Sequence, residues 1–113
     1  MKYVSYLNEL YRNEISKFDE FVLYGQNVST GSCLGGLTRD FQKIKGCNVF
    51  NTPNTENTLV GLGFGLMLSG TSSAFFMKQQ DFLLLGIDHL RNTHNFMRQQ
   101  APSASFTIVN ITM

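Results

Sequence analysis

Charge is scarce in this sequence: Asp, Glu, Lys and Arg make up only 15% of 113 residues and nearly cancel, leaving +1. So even a balance removes the long-range electrostatic reason to expect nucleic acid or an anionic membrane surface as partner. No Lys/Arg cluster is interleaved with aromatics, so the nucleic-acid footprint is missing as well. The low charge fraction also leads us to expect surface that a protein partner covers. Cysteine is scarce too. Cys33 and Cys47 form no CxxC pair and have no neighbouring His, which argues against a disulfide framework or a zinc site. The first residues lack the apolar core of a secretory signal, so the expected location is the reducing cytoplasm. Long hydrophobic runs are absent: Leu59 to Leu68 is too short to span a bilayer and suits a core helix. No internal repeat or low-complexity tract occurs.

What is present is an alternation of elements. Val4, Leu7, Leu10, Tyr11, Ile15 and Phe18 recur at helical spacing, which predicts a helix from about Lys2 to Phe18. Phe21 to Tyr24 is a continuous apolar run, as in a strand buried on both faces of a parallel sheet. Gly25 to Gly36 is loop-like, and a short helix is expected from about Leu34 to Ile44, ended by Lys45-Gly46. Asn48 to Asn51 is a strand candidate, and Pro53 breaks it. Asn54 or Thr55 is placed to cap a helix running to about Leu68. Ser72 to Phe76 reads as a strand, Asp81 to Arg98 as a helix, and Phe106 to Ile111 as a β-branched strand. This order predicts an α/β three-layer sandwich: a mainly parallel sheet with helices on both faces, formed by residues 1–113 as one domain. A strand so close to the C-terminus lacks a covering helix. Part of the domain is therefore expected to be missing or supplied in trans.

Two segments stand out chemically. Asn51-Thr-Pro-Asn-Thr-Glu56 sets one carboxylate at the start of an apolar helix, directly after a strand, and Asp81-Phe82 follows the next strand. A carboxylate and an aromatic ring at neighbouring strand-to-helix joints suit a flat heteroaromatic ligand. The plainer reading of Glu56 is an acidic residue in a first helical turn, where the macrodipole favours negative charge. Both readings stand on the sequence. Gly61-Leu-Gly63-Phe-Gly65 lacks the GxGxxG spacing of a dinucleotide loop and lies inside a helix. Gly61 and Gly65, four apart, are expected on one helix face that admits a neighbouring backbone. Phe75, Phe76, and Phe82 to Leu85 read as core. His89 and His94 are five apart, not the i, i+4 spacing of a helical metal pair, so no metal ligand is assigned.

In their order, these segments resemble the pyrimidine-binding domain of thiamine-diphosphate enzymes. The resemblance is to the beta subunit of the pyruvate-dehydrogenase type of 2-oxo acid dehydrogenase, within the transketolase-like superfamily. It runs from Leu7 to Arg98 and rests on Phe21 to Asn27, Asn51-Thr-Pro-Asn-Thr-Glu56, Val60 to Gly70, Asp81-Phe82 and Ile87-Asp88-His89. The resemblance implies that Glu56 is the catalytic glutamate that hydrogen-bonds N1′ of the cofactor's aminopyrimidine and drives that ring to its imino tautomer. That role needs a carboxylate able to hold or share a proton. By the same resemblance Phe82 is the cofactor-binding aromatic that packs on the pyrimidine.

The family's diphosphate and Mg²⁺ motif, Gly-Asp-Gly followed by Asn, has no counterpart in this sequence. The resemblance thus implies a C-terminally truncated pyrimidine-binding fold in a homo- or hetero-oligomer. A diphosphate-binding, alpha-type partner would hold Mg²⁺ and complete the enzyme. Gln26-Asn27 replaces the family's acidic pair, His89 replaces a Gln, and Lys78-Gln-Gln80 puts polar groups near the cofactor edge. Ketol transfer of the transketolase type, or a degenerate domain that only binds a partner, are the alternatives.

Overall fold

The computed structural model describes residues 2–100 and 102–112. The chain is an α/β protein built on a four-stranded, wholly parallel sheet. In chain order its main elements are α1 (Tyr3–Ile15), β1 (Phe21–Gly25), β2 (Cys47–Asn51), α2 (Glu56–Leu68) and β3 (Ser72–Met77). A winding helical stretch from Gln80 to Gln100 follows, containing α3 (His94–Met97), and β4 (Phe106–Asn110) ends the described fold. The strand order is β2-β1-β3-β4. Phe21 is paired with both Cys47 and Ser72, and Ser73 with Phe106.

The apolar runs that mark the strands are what both faces of the sheet require. On one face Phe21 and Leu23 of β1 and Ala74 and Phe76 of β3 pack with Ile15, Val28, Leu37 and Phe41. On the other, Tyr24, Phe75 and Met77 pack with Leu59, Val60, Phe64 and Met97. Successive side chains of a strand point to opposite faces, so a continuous apolar run serves two cores at once. All six residues of β3 are buried. The layers are therefore α1 with the long loop on one side, and α2 with the Gln80–Gln100 stretch on the other. No helix among the described residues is long and apolar enough to cross a membrane.

The stripe expected on α1 is narrower than its spacing implied. Leu7, Tyr11 and Ile15 pack inward, whereas Val4, Leu10 and Phe18 stay 39–41% exposed. Asn8 ties the helix down: its amide donates to the Leu37 and Arg39 carbonyls at 2.8 and 3.1 Å.

Two expected helices differ in the structure. No helix forms from Leu34 to Ile44; residues 26–40 run through turns and bends, and only Phe41–Lys43 make a 3-10 turn. Cys33, Leu34 and Asp40 have φ of 51°, 52° and 65°, left-handed conformations that a right-handed helix cannot pass through. Buried Thr38 holds this path by donating its hydroxyl to the Val28 carbonyl. The helix expected from Asp81 to Arg98 is helical in course but uneven in winding. Gln80–Gly86 is 3-10 and His89–Thr93 is a π turn, ahead of the short α3. The change coincides with a close crossing of α2, where Gly86 lies against Val60 and the His89 ring lies against Gly61.

Candidate functional site

At the carboxyl ends of the strands the chain turns repeatedly from sheet to helix, the place where open α/β sheets bind ligands. Gly25 ends β1 with φ of +154°, and a Cβ there would lie 2.2 Å from the Phe76 carbonyl oxygen. Only glycine lets β1 leave the sheet beside β3 in this way. After β2, Pro53 stops pairing and α2 begins at Glu56. Thr55 occupies the N-cap position expected of it or of Asn54, yet its side chain makes no capping bond.

Glu56 is only 7% exposed. Among the described residues no hydrogen bond or ion pair engages its carboxylate. It lines a recess with Gln26, Pro53, Phe75, Lys78 and half-buried Phe82. The two residues singled out from sequence, Glu56 and Phe82, thus meet at one place. The recess measures about 10 Å³, the room of roughly one water molecule. Lys78, exposed at the end of β3, is the other charged side chain on its rim. The Glu56 oxygens are not among the fully buried polar atoms that lack a partner, so the carboxylate keeps some solvent contact at the mouth of the recess. Thr52 Oγ1, just past β2, and Asn110 Oδ1, at the end of β4, are fully buried without partners. A third such atom, Ser73 Oγ, lies near the opposite end of β3.

No protein-family model matches the chain.

Tyr24 supports this site and was not among the residues singled out from sequence. Its ring stacks on Phe75 with centroids 5.1 Å apart and planes within 9°. Its hydroxyl donates to the Leu59 carbonyl at 2.5 Å. That carbonyl lies in the first turn of α2, just behind Glu56. Burial pushes the Tyr24 phenol far above the usual tyrosine range, with the Gly63 amide opposing. Tyr24 is therefore a neutral strut that fixes the first turns of α2 on the central strand. A signal was available in principle: one polar atom inside an otherwise apolar strand needs a buried partner.

The glycines of α2 do not act as expected. Gly61 receives the His89 ring, whose Nε2 would lie 3.0 Å from an added Cβ, and Gly65 faces open space. Gly63 is the crowded one, because a Cβ there would lie 2.2 Å from the Phe106 ring. The neighbours at these three glycines are thus side chains from the same fold, whereas the close backbone approach to this helix is that of Gly86 against Val60 and Glu56. His89 Nδ1 lies 3.0 Å from Thr93 Oγ1, and His94 packs 6.3 Å from the Phe64 ring. Among the described residues no three His, Cys, Asp or Glu side chains converge. Burial raises the Cys47 thiol to about 11.

Proposed function

We propose that this chain is the pyrimidine-binding part of a cytoplasmic, thiamine-diphosphate-dependent 2-oxo acid dehydrogenase or decarboxylase. In this reading it works only with a diphosphate-binding, alpha-type partner, which would hold the diphosphate and Mg²⁺. The observation that carries the proposal is the buried, unpartnered Glu56 beside Phe82 at the carboxyl ends of a parallel sheet. These residues fit the group: a carboxylate lacking a hydrogen-bond donor faces an aromatic wall, as a nitrogen heterocycle requires.

When bound, the cofactor supplies the carbon nucleophile and electron sink for decarboxylation. Glu56 accepts a hydrogen bond at its carboxylate and holds or releases a proton there. The low-dielectric setting of α2 makes that contact stronger than it would be in water. Phe82 orients the ring by packing on its face. The Tyr24 strut keeps Glu56 from swinging out, so its orientation is set before binding. A recess of about 10 Å³ is smaller than a pyrimidine, so a partner must contribute the second wall. The same small size favours a second reading, a non-catalytic domain that only binds a partner.

Calorimetric titration of thiamine diphosphate and Mg²⁺ into this chain, alone and mixed with a diphosphate-binding subunit, separates the two. Binding only in the mixture, lost or strongly weakened in Glu56→Gln, is the expected result. A well-folded mixed complex with no cofactor binding would overturn the proposal and leave the interaction domain.

A further inference from the structure

A second concavity lies at the other end of α2. It opens between the C-terminal half of α2, the helical stretch that ends in α3, and the start of β4. Its volume is about 690 Å³, within the span of about 300–1,000 Å³ typical of small-molecule sites. The Glu56 recess sits at the first turn of α2 and this cleft near the last, so the two are separate.

Its floor is apolar and well braced. Phe64 and Phe106 meet edge to face with centroids 5.3 Å apart and planes at 78°. Phe106 reaches that position because Gly63 leaves the space its ring fills. Leu90 and Ala104 continue the apolar wall. Its polar side chains are few: His94, Arg98 and Ser105. Leu90, His94 and Arg98 follow each other at four-residue steps along one helical face and all line the cleft. Among the described residues no acidic side chain lines it, and neither ion pair involves Arg98. A guanidinium presents a fork of donors matched to a carboxylate. An imidazole one turn away adds a ring N–H or an acceptor.

We propose that this cleft binds a small apolar monocarboxylate, its hydrocarbon part on Phe64, Phe106 and Leu90 and its carboxylate on Arg98 with His94. Both the apolar wall and the uncompensated cation are used by such a ligand, whereas a neutral hydrocarbon uses only the first. The inference is independent of the cofactor reading, since no residue is shared between the two sites.

Calorimetric titration with octanoate, and with octan-1-ol as the uncharged counterpart, tests it on the whole chain. Octanoate is expected to bind saturably and more tightly than the alcohol. Arg98→Met keeps the stem and loses the charge. It should weaken octanoate about tenfold, the equivalent of one charge-assisted contact, and leave the alcohol within about twofold. Ala104→Phe should abolish both. Equal affinity for acid and alcohol, or unchanged octanoate binding in Arg98→Met, overturns the proposal. If a variant fails to fold, amide chemical shifts of the unmodified protein decide. Octanoate-induced changes should fall on Phe64, Leu90 and Phe106, and changes on α1 instead would refute the assignment. Octanoate binding that persists in Glu56→Gln keeps this result distinct from that of the cofactor experiment.

Discussion

Replacing Glu56 with methionine should make this protein more stable, which is unusual for a buried residue. The side chain is 7% exposed and its carboxylate has no partner among the described residues. Leaving a buried polar group unsatisfied costs about 1–3 kcal/mol, and more for a charged one. Methionine fills a similar volume with no polar atom to satisfy. Against this stands the loss of an acidic group from the first turn of α2, about 0.3–1 kcal/mol of dipole interaction. Because the carboxylate oxygens keep some solvent contact, the low end of that penalty applies. The net expectation is a gain of up to about 1 kcal/mol, which in a domain of this size raises Tm by up to roughly 4–8 °C. Urea unfolding followed by far-UV circular dichroism measures it, with unchanged slope as the check that only the native state has changed. Glu56→Gln retains an unsatisfied polar head and should gain less. Destabilisation of Glu56→Met by more than about 0.5 kcal/mol, beyond the usual surface effect, would mean the carboxylate is already satisfied. The case for a ligand at this recess would fall with it.

The remaining predictions concern the supports around the site. Gly63→Ala should lose about 1–2 kcal/mol, because overpacking against the Phe106 ring at about 1–3 kcal/mol outweighs the helix propensity gained. Gly65→Ala, facing open space, should gain up to about 1 kcal/mol; opposite signs in parallel urea titrations are the signature. Tyr24→Phe should cost about 0.5–1.5 kcal/mol, the loss of one hydrogen bond to a Leu59 carbonyl that keeps its helical partner, and in the unmodified protein the Tyr24 phenolate absorbance should appear only with alkaline unfolding. Cys47 has a thiol raised from 9.0 to about 11 by burial. The folded state therefore holds that proton more tightly than the unfolded chain, so stability is complete below about pH 9 and declines as pH rises toward 11. Iodoacetamide labelling of Cys47 should accelerate over the same interval, and fast labelling at pH 8 would contradict the buried thiol.

Strands β1 and β3 were legible because burial on both faces demands a short apolar run, whereas β2 and β4, at the sheet edges and only partly buried, were marked by Val, Phe and Ile among polar residues. Glu56 and Phe82 could be picked out because each follows a strand directly. Their meeting at one recess could not be read, since it depends on how the 3-10 segment after β3 folds back over α2. The loop between β1 and β2 misled for a local reason. Cys33, Leu34 and Asp40 occupy left-handed conformations normally left to glycine, and hydrogen bonds from Thr38 and Asn8, distant in sequence, hold them there. The glycines of α2 misled for the opposite reason. Their spacing identified a helix face, but Phe106 and His89, the side chains that use the space, lie some thirty to forty residues downstream.

The register of the sheet also bears on how the protein is made. Strand β1 sits in the middle, between β2 and β3, and every partner it has is encoded after it. A growing chain that has reached only α2 has one neighbouring strand for Leu23 and Tyr24, and the edge of β1 that pairs with Phe75 and Phe76 is still bare. Closure of the central pair waits for Ser72–Met77 to emerge, and pairing across such separations is intrinsically slow. During that interval the most apolar strand of the fold is exposed, a natural client for a chaperone.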